Sequence, residues 1–245
     1  MIRIENLHKR FGEVRAVDGV SFTAADGQVS GLLGPNGAGK TTTLRMLYTL
    51  MRPDEGRILV DDVDAVIDPQ GARLRLGVLP DQSGLYPRLT AREHIEYFGE
   101  LQGISGAELR HRTDHLLKML DMTAIADRRV AGFSHGERTK TALARAIVHN
   151  PKNVLLDEPT NGLDVMSTRA VREIIRRLKS EGHTVLFSSH VMQEVSALCD
   201  TIVVIARGQI VASGTPDDLR AQTGQQNLED AFVALSGLEA AVEPS

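Results

Sequence analysis

The chain has 245 residues, 42% of them hydrophobic, so it is long enough for one domain with an inserted subdomain and too apolar for extended disorder. A formal net charge of −4 and an aromatic content of 4% argue against a surface that holds nucleic acid, which needs basic residues or stacking rings. The single cysteine, Cys199, excludes an intramolecular disulfide, and we expect neither a signal peptide nor a membrane-spanning segment, because the apolar runs are too short.

The opening of the chain is rich in strand patterns. Ile2, Ile4 and Leu7 alternate with polar residues, as in an edge strand of a sheet. Similar patterns predict further strands over 20–23, 29–33, 56–60 and 76–79, and a helix over 42–50.

The hydrophobic period changes at Thr90, which predicts a helical insertion. Thr90 and Glu93 fit a capping box, in which each side chain bonds a free backbone N–H of the first helical turn. Ile95, Phe98 and Leu101 follow at helical spacing. A second helix would carry Leu109, Leu116, Leu117 and Leu120, and a third would cover roughly 137–149. We therefore expect residues 90–150 to form a helical subdomain.

Strands and helices alternate again after this insertion. The patterns predict strands over 154–156, 184–187, 202–206 and 209–212, with a hairpin turn at Arg207-Gly208 between the last two. They predict one helix over 191–198 and another whose apolar face carries Val171, Ile174, Ile175 and Leu178. A last apolar stripe near the C-terminus consists of Leu228, Ala231, Phe232 and Leu235. Apolar strands that alternate with helices predict an α/β fold with a mainly parallel sheet covered on both faces. Residues 1–89 and 151–220 would form its core, and 221–245 a C-terminal helix and tail.

A glycine-rich loop lies between a predicted strand and a predicted helix. Gly34–Thr41 reads GPNGAGKT and matches G-x-x-x-x-G-K-[ST] at every fixed position. Glycines let consecutive backbone N–H groups turn toward phosphate oxygens, and the positive end of the following helix faces the same anion. We expect Lys40 to reach the β and γ phosphates and Thr41 to ligate Mg²⁺. The residues predicted to hold the nucleotide are Gly34, Pro35, Asn36, Gly37, Ala38, Gly39, Lys40, Thr41 and Thr42.

Two acidic residues follow a later strand. Val154-Leu-Leu is continued by Asp157 and Glu158, at the carboxyl edge where parallel sheets bind ligands. Asp157 is predicted to hold Mg²⁺ through its water shell, and Glu158 to activate the attacking water as general base. Either acid could instead cap the next segment, but the phosphate loop upstream favours the catalytic interpretation.

The segment Phe133-Ser-His-Gly-Glu-Arg precedes the third helix of the insertion. Ser134 and Glu137 fit a second capping box, which accounts for both of them. It does not account for Gly136, because glycine destabilises a first helical turn relative to alanine. A helix start with serine and glycine is also an anion site, so Ser134 and Gly136 are predicted to meet a phosphate, not necessarily one held by their own chain.

In this order, the motifs resemble the ATP-binding subunits of ABC transporters, over about residues 2–220. Phe133–Glu137 resembles the family signature LSGGQ, Asn161–Asp164 resembles its D-loop, and His190 stands where the family's switch histidine contacts the γ-phosphate. The resemblance implies a P-loop NTPase core of the RecA-like type with an antiparallel β edge region and an inserted helical subdomain. It also implies ATP and Mg²⁺ as ligands, with Asp164 among the nucleotide-binding residues.

The resemblance further implies partners. Two such subunits clamp two ATP molecules head to tail, so that the signature of one completes the phosphate site of the other; a homodimer is the simplest form. A transmembrane permease subunit would meet the helical insertion and the stretch around Leu85 and Tyr86. The protein would then lie on the cytoplasmic side of the inner membrane, and no nucleic-acid partner is expected.

This sequence departs from the family pattern at three places. His135 and Glu137 replace a glycine and the glutamine of the signature. Phe11 stands where an adenine-stacking tyrosine is common, and ordinary strand packing is an equal alternative for it. In the Q-loop, which links the catalytic core to the helical insertion, either Asp81 or Gln82 could be the Mg²⁺ ligand.

Three segments resemble the ABC-2 exporter branch, and most of all the ATPase subunit of bacterial sodium-exporting pumps. They are 84–93, 164–169 and 228–232. Related subunits move drugs, polysaccharides or lipids, and the cargo path lies in the membrane partner. The alternative is a soluble ATPase that acts on ribosomes, DNA or protein assembly, but the chain has a single cassette and no long coiled coils, which argues against it. A third option is a nucleotide-dependent regulator with little turnover, and the presence of Glu158 argues against that.

Overall fold

The computed structural model describes residues 1–82 and 84–236. The strands of this part are β1 (Ile2–Phe11), β2 (Val14–Ala24), β3 (Val29–Leu33), β4 (Glu55–Val60), β5 (Val63–Asp64), β6 (Leu76–Leu79), β7 (Asn153–Asp157), β8 (Thr184–Ser189), β9 (Thr201–Ala206) and β10 (Gln209–Gly214). The helices are α1 (Lys40–Leu47), α2 (Pro69–Leu74), α3 (Ala91–Leu101), α4 (Gly106–Met119), α5 (His135–Ile147), α6 (Val165–Ser180), α7 (Met192–Leu198), α8 (Pro216–Thr223) and α9 (Leu228–Ser236). Residues 237–245 of the expected tail lie outside the described residues.

A six-stranded sheet forms the centre of the molecule. Its strand order is β10-β9-β3-β8-β7-β6, and every neighbouring pair is parallel except β10 with β9. Successive side chains of a strand point to opposite faces, so Val154 and Leu156 belong to one hydrophobic core and Leu155 to the other. The expected α/β fold with a mainly parallel sheet, apolar on both faces, is confirmed.

Helices cover one face of this sheet. The core on that side combines Phe187 of the sheet with Ile95 of α3, Leu117 of α4, Leu143 of α5 and Ile175 of α6. Three helices, α3, α4 and α5, follow Thr90, as the change of period there predicts. The capping box at its start is present, since the Glu93 N–H donates to Thr90 Oγ1 over 3.1 Å and the Thr90 N–H donates to the Glu93 carboxylate over 2.8 Å.

A second, antiparallel sheet and α1 cover the other face. Its strand order is β2-β1-β4-β5, so the expected antiparallel region forms a sheet of its own. The edge-strand prediction for Ile2, Ile4 and Leu7 is wrong, because β1 pairs with β2 on one side and with β4 on the other. Alternation of apolar and polar residues indicates a strand with one buried face and one exposed face. A central strand of an antiparallel sheet covered on one side has the same pattern as an edge strand, so the pattern does not distinguish them.

Several boundaries differ from the sequence expectation. The first helix covers Lys40–Leu47 rather than 42–50, because Gly39 already occupies the N-cap and Thr49, at φ 61°, cannot continue the helix. The third insertion helix begins at His135 rather than 137, directly after its cap Ser134. Sequence patterns did not reveal β5, α2 or α8, which are short and carry few apolar residues. None of the helices in the two described ranges is long and apolar enough to span a bilayer.

Candidate functional site

The glycine-rich loop joins β3 to α1 at the carboxyl edge of the six-stranded sheet. Gly39 has φ 107°, which side-chain-bearing residues rarely adopt, and a Cβ there would lie 2.4 Å from the carbonyl oxygen of Ala16 on β2. A side chain at this position is therefore excluded twice, by conformation and by space. The glycine lets the loop curve tightly under β2 and start α1 immediately.

A cavity of about 340 Å³ opens above this loop. Its lining residues are Asn36–Thr42 of the loop and helix, together with Ala16, Asp81, Glu158, Asn161 and His190. Residues of β2 and of the segments after β3, β6, β7 and β8 thus contribute to one site. Lys40 and Thr41 of the glycine-rich loop meet Glu158 and His190 in it.

Lys40 is 5% exposed and its ammonium group is surrounded by oxygen atoms. Nζ donates to the carbonyl oxygens of Gly34, at 2.7 Å, and Pro35, at 3.2 Å, and lies 3.2 Å from Glu158 Oε1. A phosphate oxygen at this position would meet a cation that the loop has already oriented.

Glu158 bridges Lys40 and His190. One carboxylate oxygen contacts Lys40, and the other lies 2.8 Å from His190 Nδ1. Its backbone has φ 50°, a left-handed conformation that costs roughly 1–2 kcal/mol for a residue with a side chain. The Glu158 N–H donates to Ser188 Oγ over 2.9 Å, which helps to hold this conformation. Such locally unfavourable backbone is concentrated at functional sites.

Asp157 is 2% exposed and lies directly beside the loop. Burial raises the pKa of Asp157, and hydrogen bonds from Ser188, at 2.6 Å, and Thr41, at 3.2 Å, oppose that increase. The charges of Asp81 and Glu158 raise the pKa further. Oδ2 of Asp157 has no hydrogen-bond partner in the part of the chain that is described. A cation beside this oxygen would give it a partner and would favour the charged form of the carboxylate.

These oxygens fit Mg²⁺. The Asp157 carboxylate and the Thr41 hydroxyl are hard oxygen donors, and Asp81 lines the same cavity. Over the described ranges, no group of three or more His, Cys, Asp or Glu side chains is arranged to hold a metal. Mg²⁺ sites commonly take one or two protein oxygens and complete their coordination with phosphate and water.

The two Q-loop candidates are separated in space. Asp81 lines the phosphate-loop cavity, whereas Gln82 lines a neighbouring groove of about 580 Å³ together with Tyr48, Phe98 and Arg145. Asp81 lines that groove as well, so it lies where the two spaces meet. Of the two candidates, only Asp81 therefore lines the phosphate-loop cavity in the part of the chain described.

Ser134 and Gly136 do not line the cavity of their own Lys40. The Ser134 hydroxyl accepts from the Glu137 N–H, at 3.2 Å, which completes the second capping box. Gly136 has a packing role that sequence reasoning missed: a Cβ there would lie 2.4 Å from Ser167 Oγ on α6. His135 reaches sideways instead, with Nε2 3.0 Å from the Asn161 carbonyl oxygen.

Asp164 and Phe11 are also outside the phosphate-loop cavity. Asp164 is the N-cap of α6, where its two oxygens accept from the Ser167 N–H and hydroxyl, both at 2.8 Å. Those hydrogen bonds lower the pKa of Asp164. Phe11 is 47% exposed at the end of β1 and belongs to neither hydrophobic core. The Lys9 ammonium lies 5.8 Å from the centre of its ring.

Ser188 is the site residue that sequence reasoning missed. Its hydroxyl joins the Asp157 carboxylate to the Glu158 backbone. The available signal was its position at the end of a buried strand two residues before His190. Serine is common at strand ends, so this signal alone could not separate Ser188 from an ordinary terminal residue.

Comparison with known proteins assigns a family to this geometry. The model of the family described as ABC transporter matches residues 17–161. The ABC transporter ATP-binding protein NatA of Bacillus subtilis (strain 168) is 44% identical over 96% of this chain and 97% of its own length. The daunorubicin resistance ATP-binding protein DrrA3 of Streptomyces coeruleorubidus is 38% identical over 98% of this chain and 76% of its own length. A Nod factor export ATP-binding protein I of Ralstonia nicotianae is 39% identical over 89% of this chain and 68% of its own length.

Solved structures agree with the family assignment. An ATP-binding subunit of an ABC transporter superposes with a TM-score of 0.88 and 29% identity, covering 96% of this chain and 99% of that one. A dimeric ATP-binding cassette in a post-hydrolysis state, bound to ADP and Pi, superposes with a TM-score of 0.80 and 26% identity. This superposition covers 88% of the present chain and 98% of that one. The expected resemblance to ATP-binding subunits of exporters is confirmed.

Proposed function

Because the chain belongs to the ABC transporter family, whose ATP-binding subunits hydrolyse ATP, we propose that it powers a membrane exporter by pairing with a second copy of itself around ATP. One observation supports this most directly. Lys40, Glu158 and His190 come from three segments of the chain and line one cavity, in which Glu158 lies 3.2 Å from Lys40 and 2.8 Å from His190.

The chemistry proposed for this cavity follows from the contacts of its residues. Lys40 and the loop N–H groups hold the β and γ phosphates, and Thr41 and Asp157 hold Mg²⁺, which neutralises charge on the phosphates. Glu158 takes a proton from the attacking water, whose oxygen bonds to the γ phosphorus while the bond to the bridging oxygen breaks. His190 holds the Glu158 carboxylate in position and contacts the γ-phosphate.

A second copy would complete the site. Ser134 is exposed at the start of α5 and outside its own phosphate cavity, so a phosphate that it contacts belongs to another subunit. A similar ATP-binding cassette is dimeric with bound ADP and Pi, which supports dimer formation. We propose a homodimer in which each Ser134 helix start faces the partner's nucleotide.

The membrane partner and the cargo are further proposals. A permease would dock at the helical face near Leu85 and Tyr86, which places this subunit on the cytoplasmic side of the inner membrane. We propose Na⁺ as the cargo on the resemblance of 84–93, 164–169 and 228–232 to sodium-exporting pumps. A drug is the second candidate, since one relative is named for daunorubicin resistance.

Glu158→Gln tests the catalytic proposal. Glutamine keeps the shape of Glu158 but cannot take a proton, so ATP turnover should fall by more than about 100-fold while ATP affinity is kept. Glu229→Gln on α9, an exposed acid outside the cavity, is the matched control and should keep normal turnover. Near-normal turnover of Glu158→Gln would remove Glu158 from its role.

Reconstitution tests the cargo. The protein and the permease encoded beside it would be placed in vesicles, and ATP-driven Na⁺ and daunorubicin movement measured separately, with Glu158→Gln as the inactive control. Transport of daunorubicin but not Na⁺ would refute the Na⁺ proposal and leave the ATPase proposal intact.

A further inference from the structure

Glu194 is an acid buried close to the catalytic residues, yet it does not line their cavity. It lies in the first turn of α7 and is 3% exposed. A buried carboxylate is costly unless hydrogen bonds and a positive charge compensate for its lost hydration. Its contacts therefore indicate what holds it there.

The Glu194 carboxylate joins three segments of the chain. Oε2 accepts a hydrogen bond from Thr160 Oγ1 at 2.5 Å and a second from Ser189 Oγ at 3.2 Å. Oε1 lies 3.6 Å from the Arg172 guanidinium on α6. The Ser189 hydroxyl in turn accepts from the Val191 N–H at 2.9 Å, so it is held from both sides.

The two hydroxyl partners flank the two catalytic residues. Thr160 comes two residues after Glu158, and Ser189 comes immediately before His190. The contact between Glu158 and His190, at 2.8 Å, joins the same two segments. A single carboxylate thus ties together the loop that carries Glu158 and the loop that carries His190.

We propose that Glu194 is a positioning residue for ATP hydrolysis, which holds Glu158 and His190 in register through Thr160 and Ser189. This inference rests on the proposed roles of Glu158 and His190. Because Glu194 and Thr160 do not line the phosphate cavity, they act on the alignment of catalytic groups and not on nucleotide binding. Small displacements of aligned groups lower the rate of the chemical step far more than affinity.

Thr160→Val is the cleanest test, because it removes the hydroxyl and keeps the size. We expect kcat to fall about ten-fold and KM for ATP to change less than about two-fold. Thr160→Ser should restore the rate. Glu194→Gln should resemble Thr160→Val, but it leaves Arg172 without its charge partner, so Thr160→Val keeps the test valid if Glu194→Gln does not fold.

Thr113→Val is the matched control. Thr113 is a fully buried threonine of α4 whose hydroxyl has no hydrogen-bond partner among the residues described, so its loss should leave turnover unchanged. A second measurement of kcat, in a His190→Ala background, gives a result that a purely structural role of Thr160 would not produce. In that background Thr160→Val should lower kcat by less than about two-fold, because the alignment it disturbs is already lost.

The outcomes separate this inference from the proposed function. A folded Thr160→Val protein with normal kcat, or one with raised KM and unchanged kcat, overturns the positioning role. A further ten-fold loss in the His190→Ala background also overturns it. If Glu158→Gln retains turnover, the proposed catalytic roles fail first, whatever Thr160→Val shows.

Discussion

Lys40 and Glu158 illustrate how single residues prepare this site for phosphate. The Lys40 ammonium already makes three contacts with oxygen, from Gly34, Pro35 and Glu158. Phosphate oxygens would therefore compete with these protein oxygens for the N–H groups of the Lys40 ammonium. Phosphate binding would replace existing contacts of Lys40 and would not simply add new ones. A shift of Glu158 away from Lys40 on binding would free its carboxylate for the attacking water.

His94 shows a different use of a buried polar residue. It is fully buried on α3, with Nε2 3.0 Å from the Tyr86 backbone nitrogen, and its Nδ1 has no partner within the described ranges. Burial lowers the pKa of His94 below its usual 6.5; the Tyr86 carbonyl and Glu93 oppose this shift, and the positive charge of Arg145 adds to it.

The lowered pKa of His94 predicts an acid-sensitive stability. The pKa of His94 is near 6.5 in the unfolded chain and lower in the folded chain. At a pH between these two values the unfolded chain binds a proton that the folded chain does not bind. The free energy of unfolding therefore falls as the pH drops through this range. Urea unfolding at pH 7.5 and 5.5 should show a smaller loss for His94→Gln than for the unmodified protein.

Two other histidines qualify that experiment. Burial also lowers the pKa of His149, so some acid sensitivity should remain in His94→Gln. His111, which is exposed on α4, provides the control, since His111→Gln should leave the pH dependence as it was. An unchanged pH dependence in His94→Gln would show that His94 is not the titrating group.

At the scale of elements, the capping motifs could be predicted from sequence, whereas the contacts between helices could not. The capping boxes at Thr90 and Ser134 follow from residues three apart, and both are present. Gly136 could not be understood in the same way, because the reason for it lies on another helix. Its partner Ser167 is 31 positions away, and no local pattern connects the two.

Gly136→Ala is expected to destabilise the protein although alanine favours helices. The gain in helix propensity is about 1 kcal/mol, and overpacking against Ser167 costs about 1–3 kcal/mol. Displacing Ser167 also disturbs the cap that it forms with Asp164. The free energy of unfolding, measured with urea, should therefore fall.

A second substitution makes this prediction sharper. Ser167→Ala removes the oxygen that a Cβ at position 136 would meet at 2.4 Å. The double variant Gly136→Ala, Ser167→Ala should be more stable than the sum of the two single changes predicts. Strict additivity would mean that the two helices do not pack this closely.

At the scale of the whole molecule, sequence predicted the class of fold and the core of the site but not the arrangement of layers. The phosphate loop, Asp157 and Glu158 could be assigned because they follow apolar strands at the binding edge of a parallel sheet. The separate antiparallel sheet could not, since β1 pairs with β4 across about fifty residues. The placement of Asp81 and Gln82 also needed the structure, because Asp81 lines both the phosphate-loop cavity and the neighbouring groove, whereas Gln82 lines the groove but not the cavity.

Dimer formation is the prediction that belongs to this scale. In a Glu158→Gln background, where turnover is blocked, ATP should convert monomers into dimers detectable by light scattering. Adding Ser134→Arg should weaken dimerisation at least about ten-fold, because it places a bulky side chain at the proposed interface, while monomer affinity for ATP stays similar.

The control for Ser134→Arg addresses the helix cap. Losing a capping serine costs about 1 kcal/mol by itself. Thr215→Arg makes the same kind of change at α8, where an exposed threonine also completes a capping box, and should not affect dimerisation. ATP-dependent dimers of the Ser134→Arg protein would contradict the proposed interface.

The alternation of β7 between two cores has an experimental use. Leu155 lies among residues that pack with α1 and the antiparallel sheet, and Leu156 among those that pack with the helical layer. Isotope-labelled methyl groups on these two adjacent leucines would give separate NMR signals for the two halves of the protein. Titration with ATP could then show which half rearranges first, from probes only one peptide bond apart.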